Sequence, residues 1–501
     1  MEKINGIFAE SKIYNKLKSA FLFLCACFRD TFFYKLFFSD INEETLQKSL
    51  FGRFFKAVKS FFDWIYDVFS DVFVVKLLKK IFSFDWHEII RTSEILRFFH
   101  VNDYKYSFSF LICLATLLTA GFLPTMVVAG LCILSCVMMF FESDFSVRLK
   151  KFKPVATDLF IFAYLIALFH ARNISIDYQR NRIFLIYCVF VGVYFVFRYY
   201  LSDVNKVKMA SSAFAASGLF VCAYGMIQFL TGSYKTTTWT DTNMFSDIEG
   251  RLVATFENPN VFGEYLLFLI PLAVALFFLT DKFIWKLIYF GVAIGGCLCM
   301  VLTYSRGCWI GLMLGMFVFV LMLYPKILLP VCLIAPFSLF FIPESIMTRI
   351  TSIGNLQDGS TAFRVYLWKS TIDMVKDVWY TGIGLGTSAF TENYRPYSYE
   401  AVVAPHSHNT FLHVLCESGI FGLAVFVLLL YFTLRQLFVS YRQTQNKTVK
   451  ILSAAFVSGL LGLLVQAMFD NTLYNYRMYM LFFAAISSSA ALYSVRREKL
   501  D

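Results

Sequence analysis

The chain has 501 residues, of which 58% are hydrophobic and only 16% are charged. A soluble domain is typically about half apolar and about a quarter charged, so this composition excludes an ordinary soluble protein and predicts an all-α polytopic membrane protein. The formal net charge of +11 does not indicate nucleic acid as a partner, because Lys and Arg in the loops of a membrane protein fix its orientation. We therefore expect contacts with membrane lipids and none with nucleic acid.

The first region, residues 1–104, mixes aromatic and charged side chains. Between Leu50 and Lys80 the apolar residues recur with a helical period on one face, and the charged residues fall on the other face. This pattern predicts an amphipathic helix that lies in the membrane interface rather than crossing it. The alternative is a helix that packs on the rest of the protein. We divide the chain into this cytoplasmic or interfacial region, 1–104, and a membrane domain, 105–501.

The membrane domain contains repeated apolar runs of roughly 17 to 25 residues, the length that crosses a hydrocarbon core as a helix. A helix satisfies its own backbone hydrogen bonds in lipid, which makes it the expected form of each run. We predict about twelve transmembrane helices, at 106–122, 124–141, 154–171, 183–201, 209–231, 260–280, 283–303, 308–324, 327–342, 409–433, 448–469 and 475–494.

Lysines and arginines are concentrated in alternate connections between these spans, beginning with the connection between the second and third spans. The positive-inside rule places such connections in the cytoplasm, so we expect both termini to be cytoplasmic. The loops 232–259 and 343–408 are then extracytoplasmic. The longer one, 343–408, is polar throughout and is the expected location of an extracytoplasmic active site.

The arginines on the predicted outer side are Arg172, Arg180, Arg182, Arg251, Arg306, Arg364, Arg395 and Arg477. Of these, Arg306 lies in a short link between two apolar spans and Arg477 opens the last span. An arginine at the edge of the hydrocarbon is costly unless it is paired or extends its head group to the interface. For any one of them, such an anchoring role is the simpler interpretation. Several on one face favour a shared anionic ligand, because a guanidinium donates two hydrogen bonds to a phosphate in a fixed plane.

Three polar residues near these arginines have helix-capping interpretations. Asn258 and Asn260 flank Pro259, and a cap with proline at the first helical position is the favoured role for this ENPN stretch. Asp470 either orients Arg477 or caps the last span, and the sequence does not choose between these roles.

The long outer loop contains two features of its own. Residues Thr361 to Trp379 have a helical period and predict an amphipathic helix over the outer mouth of the bundle. The following GIGLG, residues 382–386, is a candidate phosphate cradle. It lacks the strand–loop–helix context and the lysine of a P-loop, so a tight turn is the favoured interpretation.

Three of the six histidines of the chain, His406, His408 and His413, fall in PHSHNTFLHVLCESGIFGL, residues 405–423. Pro405 is suited to open a helix, which would place His408 on one face with the apolar residues that follow. The glycines of GIFG would give this helix a smooth patch for close packing. A single histidine here would more often be structural, but three beside Asn409 and near several arginines favour a functional site.

These motifs together resemble the O-antigen ligase and O-antigen polymerase superfamily of bacterial membrane glycosyltransferases. The ligase signature, His followed by Asn, Ser or Gln, nine residues, and Gly-x-x-Gly, is matched from His408 to Gly422. The other matching stretches are RLVATFENPN at 251–260, LTYSRG at 302–307, Phe363-Arg364 followed by Trp368, and FDNTLYNYR at 469–477.

The resemblance implies a metal-independent, inverting transfer of a glycan from a polyprenyl-pyrophosphate carrier to a hydroxyl acceptor, without a cofactor, at the outer face of the bacterial plasma membrane. An imidazole titrates near neutral pH and suits the general base, a role we assign to His408. We expect Arg306, Arg477, Arg251 and Arg364, in falling order, to bind the pyrophosphate. Supporting roles are expected for Asn409, His406 and Asp470.

Two alternatives remain at this stage. A polymerase of surface polysaccharide in the same superfamily would differ only in its acceptor, which is a repeat unit rather than an anchor molecule. A transporter of lipid-linked glycans belongs to another class and would place charges near the middle of the membrane on broken helices. The spans here look mostly unbroken and their charges cluster at one face, which favours the transferase.

Overall fold

The computed structural model describes most of the membrane domain. The described residues are 108–141, 154–234, 250–328, 343–352, 358–402 and 404–497, with isolated positions between 53 and 77 and between 145 and 152. The chain divides into two compact units, Met1–Lys56 and Ala57–Asp501, and every helix named below lies in the second. The predicted domain boundary after residue 104 lies outside the described residues, as does most of the predicted interfacial helix, and both stay predictions.

The described residues form a series of α-helices numbered here in chain order. They are α1 (Phe108–Thr119), α2 (Thr125–Phe141), α3 (Ala156–Ile174), α4 (Arg180–Tyr200), α5 (Val204–Thr231), α6 (Pro259–Leu279), α7 (Phe283–Leu302), α8 (Arg306–Leu323), α9 (Glu344–Thr351), α10 (Gly359–Val378), α11 (Thr387–Tyr394), α12 (Thr410–Gln443), α13 (Lys447–Ala467) and α14 (Tyr476–Arg497).

Among these described helices, nine are long and apolar enough to cross a membrane, namely α3 to α8 and α12 to α14. Two shorter apolar helices, α1 and α2, occupy the first two predicted spans. Eleven of the twelve predicted spans therefore have a helical counterpart, and nearly all of the remaining one, 327–342, lies outside the described residues. The described part of the chain contains no strand, so the predicted all-helical polytopic architecture is confirmed.

The centre of the bundle is formed by α13, which packs most extensively against α8 and α6. A methyl group added to Gly311 of α8 would lie 2.5 Å from the carbonyl oxygen of Gly462 in α13. One turn later on α8, Gly315 approaches the carbonyl of Ser458 in the same way. Small residues let helix backbones approach closely in lipid, where dispersion contacts replace a hydrophobic driving force.

One face of the bundle carries connections that bond to one another, and we call it the site face (120–124, 175–179, 250–258, 303–305, 358–409 and 468–475). Thr255 Oγ1 donates to the carbonyl of Gly121, and Ser175 Oγ donates to the carbonyl of Leu385. The polar groups of these six described connections therefore lie close together on one face of the bundle. The prediction that it is extracytoplasmic rests on the positive-inside rule alone.

The longest described membrane helix, α12, is broken near its start, contrary to the expectation of a regular helix. Gly419 in α12 has φ of +66° and ψ of −171°, a conformation that is accessible essentially only to glycine. The break frees the carbonyls of Cys416 and Glu417, which accept hydrogen bonds from the N–H groups of Ile383 and Gly384 at 2.7 and 3.1 Å. The first glycine of GIFG therefore seats the 382–386 loop instead of smoothing a helix surface.

The long loop forms a small layer of its own over the site face. The predicted amphipathic helix is confirmed as α10, whose buried residues Leu367 and Met374 belong to a second apolar cluster with Phe390 of α11 and Cys416 of α12. The GIGLG stretch uses its amide groups on the carbonyls of α12 and α3, which agrees with the turn interpretation. This layer anchors α10 so that its other face looks onto the bundle.

Candidate active site

His408 lies just before α12 rather than inside it. The helix begins at Thr410, and the Asn409 side chain caps it by accepting from Leu412 N–H at 3.0 Å. The expectation that Pro405 opens the helix is wrong. His408 has φ of +48°, a left-handed conformation that is uncommon outside glycine.

The backbone of His408 is held by two side chains. The Nδ1 of His406 accepts a hydrogen bond from His408 N–H at 3.3 Å, and Trp368 Nε1–H donates to the His408 carbonyl at 3.2 Å. Burial, reinforced by the neighbouring His408, lowers the pKa of His406 to about 3, so His406 is a neutral acceptor. A strained backbone conformation persists where its surroundings over-determine it, and these two bonds do so at His408.

The ring of His408 is oriented by Asp470. Its Nδ1 lies 2.7 Å from Asp470 Oδ1, which leaves Nε2 as the ring atom available to a substrate. Burial would raise the pKa of Asp470, but the charge and hydrogen bond of His408 lower it below the usual range, so Asp470 is a carboxylate. Neither role expected for Asp470 is correct, because Asn475 caps α14 and Arg477 bonds elsewhere.

Asn260 connects this pair to an arginine. Its Nδ2 donates to Asp470 Oδ2 at 2.7 Å, and its Oδ1 accepts from Arg251 at 2.9 Å. The predicted capping role is filled by Asn258 alone, which accepts from the N–H of Asn260. The result is a continuous hydrogen-bonded chain from His408 through Asp470 and Asn260 to Arg251.

Arg251 lies on the wall of a cavity of about 360 Å³ on the site face. Four arginines line it, and they come from four separate segments of the chain. The lining residues are Arg251, Asn260, Tyr304, Ser305, Arg306, Gly307, Ile310, Arg349, Ser360, Thr361, Arg364, Val365, Trp368, Gln466 and Phe469. His408 is not itself on this wall. Trp368, which bonds to it directly, lies on the wall, and so does Asn260, which is linked to it through Asp470.

Arg306 is the most extensively held of the four. It forms an ion pair with Asp358 and donates to Ser352 Oγ and Ser360 Oγ, each at 2.8 Å. Asp358 in turn caps α10 by accepting from the N–H of Ser360. The charge of Arg306 is thus tied to the first turn of α10.

Arg349 is a cavity residue that the sequence reasoning missed. It lies on α9, is only 6% exposed, and has its guanidinium 3.8 Å from the same Asp358 carboxylate that binds Arg306. The only signal available in the sequence was its position in the predicted outer loop. Its side chain enters the cavity wall because α9 lies next to the start of α8, where the Arg349 Nε approaches the carbonyl of Tyr304 at 3.5 Å.

The four guanidinium groups make the cavity strongly positive. Burial, together with nearby Arg349 and Arg364, lowers the pKa of Arg251 to about 9, which still leaves it charged at neutral pH. Among the described residues that line the cavity, these four arginines are the charged ones, and Asp358 is the described carboxylate that pairs with Arg306 and Arg349. Such a cavity suits a multiply charged anion that accepts several hydrogen bonds.

Arg477, expected to rank second among the anion ligands, does not line this cavity. Its guanidinium donates to the carbonyls of Gly121 and Thr255 at 3.3 and 2.8 Å and lies over the ring of Phe256. The structure therefore brings together Arg251, Arg306 and Arg364 of the predicted set and separates Arg477 from them.

His406, His408 and Asp470 also offer three ligand atoms within 4.8 Å of one another, the spacing of a metal site. Two of these residues already bond directly, and a metal ion would have to replace the His408–Asp470 hydrogen bond. The hydrogen-bonded arrangement is consistent with proton transfer, and the absence of a metal requirement stays a prediction. His413 is not one of these three ligands; its ring centroid lies 6.2 Å from that of His406, and its Nε2 lies 3.4 Å from Glu417.

Part of the chain matches a known protein family. No curated protein matches the chain. Residues 290–427 match a family model described as O-antigen ligase, a segment that contains Arg306, Arg349, Arg364 and His408. Together with the many apolar helices, this match supports a multi-pass membrane protein of polysaccharide biosynthesis with a glycosyltransferase-like ligase activity. It confirms that the chain resembles the O-antigen ligase superfamily, as the sequence motifs indicated.

Proposed function

We propose that this protein transfers a glycan from a polyprenyl-pyrophosphate carrier to a hydroxyl acceptor at the outer face of a bacterial plasma membrane. The observation that carries the proposal is the hydrogen-bonded chain from His408 through Asp470 and Asn260 to Arg251. It joins a candidate base to a cavity lined by arginines, which are the two parts that such a transfer needs.

The base acts on the acceptor. A sugar hydroxyl is a poor nucleophile until its proton is removed during attack. His408 Nε2 takes this proton while the acceptor oxygen forms a bond to the anomeric carbon of the donor. Asp470 holds the ring in the tautomer with its proton on Nδ1 and stabilises the imidazolium that forms.

The arginines act on the leaving group. As the new bond forms, the bond between the anomeric carbon and the phosphate oxygen breaks, and the electron pair leaves with the lipid pyrophosphate. Arg306, Arg251, Arg349 and Arg364 stabilise this negative charge from fixed positions. One direct displacement of this kind inverts the anomeric configuration. None of these steps requires a metal ion or a cofactor.

The test is reconstitution of the purified chain in liposomes with a polyprenyl-pyrophosphate glycan, followed by mass spectrometry of the products. We expect transfer by the native protein and a loss of about 100-fold or more in His408→Ala, the typical effect of removing a general base. His170→Ala is the matched control, because His170 is exposed and bonds only to a loop carbonyl. Native turnover in His408→Ala would rule out this function for His408.

The same experiment separates the alternatives. A polymerase passes the glycan to a second lipid-linked unit, and a ligase passes it to a different hydroxyl acceptor. The break in α12 at Gly419 favours the transporter alternative, because transporters bind their cargo at broken helices. Against it, the groups freed by this break bond to the 382–386 loop. Movement of unaltered donor across the liposome without any product would establish transport instead.

A further inference from the structure

We propose that the indole of Trp368 is the platform for the first sugar of the donor, the ring bonded directly to the pyrophosphate. This inference rests on the proposed function. It assigns a ligand subsite of stated chemistry, a sugar ring bound through its C–H face.

Helix α10 runs along the cavity wall from Ser360 to Trp368. One face of this helix lines the wall with residues spaced at the helical period. These residues are Ser360, Thr361, Arg364, Val365 and Trp368. At 1.5 Å of rise per residue, the distance from Ser360 to Trp368 along the helix axis is about 12 Å. That length accommodates a diphosphate followed by one sugar ring.

The two ends of this face have different chemistry. At the first end, Ser360 Oγ accepts a hydrogen bond from Arg306, and Asp358 pairs with both Arg306 and Arg349. At the other end, Trp368 Nε1–H bonds to the carbonyl of His408. That bond holds the backbone of His408, whereas its imidazole lies 5.8 Å from the ring of Phe363, between the two ends of this face. The phosphates therefore belong at the Ser360 end, and His408 lies beside the stretch from Phe363 to Trp368.

The reacting carbon must lie between the phosphate and the base. It is bonded to the leaving phosphate oxygen and must come within reach of the acceptor that His408 deprotonates. A sugar ring whose anomeric carbon satisfies both conditions meets the cavity wall at Trp368. The polyprenyl chain is attached to the other phosphate of the pyrophosphate, and it therefore extends away from Trp368.

The Trp368 ring is suited to this contact. Its polar N–H is already used by the His408 carbonyl, so its orientation is fixed, and its partly exposed ring lines the cavity. Phe469, 42% exposed, lies beside it with ring centroids 6.5 Å apart. The electron-rich face of an indole attracts the polarised C–H groups of a sugar and excludes water from them.

The experiment compares two ligands on the detergent-purified full chain. One is a polyprenyl pyrophosphate that carries a single sugar, and the other is the same lipid pyrophosphate without sugar. In Trp368→Ala we expect affinity for the sugar-bearing ligand to fall about tenfold and affinity for the sugar-free ligand to stay unchanged. The unchanged affinity also shows that the variant is folded. Equal loss for both ligands, or no loss for either, would overturn the proposal.

A second variant separates stacking from positioning. Trp368→Phe keeps an aromatic face but loses the N–H that holds the His408 carbonyl, so it should keep the preference for the sugar-bearing ligand and lower kcat. Loss of that preference in Trp368→Phe would contradict stacking. Trp379→Ala is the control, because Trp379 follows the same helix, is 52% exposed and does not line the cavity. A lost preference in this control would also overturn the assignment.

The sugar platform at Trp368 and the proposed transferase function can be refuted independently. Native turnover in His408→Ala would refute the transferase mechanism, whereas the sugar preference is measured without turnover. An intact sugar preference in Trp368→Ala, with His408→Ala inactive, would refute the platform alone.

Discussion

Arg306 and Arg477 occupy similar places in the sequence and different places in the molecule. Each stands at the start of a membrane helix after a short polar link, at the first residue of α8 and the second residue of α14. Arg306 opens onto the arginine-lined cavity, where its partners are the side chains of Asp358, Ser352 and Ser360 and one backbone carbonyl, that of Ser352. Arg477 closes a corner formed by Gly121, Thr255 and Phe256, where its partners are backbone carbonyls and an aromatic ring.

The two guanidinium groups differ in whether they can exchange their present hydrogen bonds for hydrogen bonds to a ligand. Hydroxyl groups and a carboxylate at a cavity wall can reorient when an anion enters, so Arg306 can transfer hydrogen bonds to a ligand. The carbonyls of packed connections cannot move away, and leaving them without a donor costs free energy. The position of an arginine at a helix start therefore predicts its depth in the membrane. Only the hydrogen-bond partners of its guanidinium show whether it can bind an anion or serves to hold the fold together.

The comparison predicts the largest effect for Arg306→Ala. Loss of a fixed donor to the leaving group should lower kcat/KM by roughly 100-fold or more, with the protein still folded. Arg306→Lys should recover little, because an ammonium group cannot reproduce the planar fork. Steady-state transfer at varied donor concentration measures both. Arg395→Ala, an exposed arginine of the same loop, is the control, and native kinetics in Arg306→Ala would remove the distinction between the two regions.

Arg349→Ala should have the next largest effect on activity. Arg349 reaches the cavity from α9 and shares Asp358 with Arg306, so its removal takes away one positive charge and releases Asp358 to bind Arg306 alone. We expect the donor KM to rise about tenfold, the size of one charge-assisted hydrogen bond, with the acceptor KM unchanged. Equal changes in the two KM values would indicate a disturbed fold instead of a lost donor contact.

Arg477→Ala should affect stability more than donor binding. The carbonyl of Thr255 loses its guanidinium donor, at a cost on the order of 1–3 kcal/mol before any rearrangement, whereas the carbonyl of Gly121 keeps the hydroxyl of Thr255 as a donor. The melting temperature in detergent should therefore fall. The protein that remains folded should keep the native donor KM. A raised donor KM at native stability would place Arg477 in the binding site after all and restore the original expectation from the sequence.

The sequence was sufficient for the parts of the fold that depend on local pattern. Apolar runs located the spans, and the helical period of 361–379 located α10, because both signals come from neighbouring residues. The break at Gly419 could not be predicted this way. GIFG is equally typical of close helix packing, and only the distant 379–384 segment, which bonds to the freed groups, distinguishes the two.

The residues of the candidate site also divide into those that local sequence motifs predict and those that depend on tertiary packing. His408, Arg251, Arg306 and Arg364 stand in recognisable motifs, and the structure places all four in or beside one hydrogen-bonded arrangement. Arg349 has no motif, and its place on the wall depends on how α9 packs. Asn260 looked like a cap because capping is local, whereas its bond to Asp470 joins residues 210 positions apart in the chain.

The smallest predicted effect concerns acid. The pKa of Asp358 is lowered in the folded protein, because its bonds to Ser360 and the charge of Arg306 outweigh the opposing effect of burial. The unfolded chain therefore binds more protons at low pH, so this carboxylate stabilises the fold at pH values above about 4, its ordinary range. That contribution is lost as pH falls further.

Asp358→Asn keeps a good helix cap and should flatten acid unfolding below pH of about 4, relative to the native protein. Identical acid profiles for the native protein and Asp358→Asn would mean that Asp358 is not ionised against the cavity arginines, and the cavity would then present its full positive charge to the ligand.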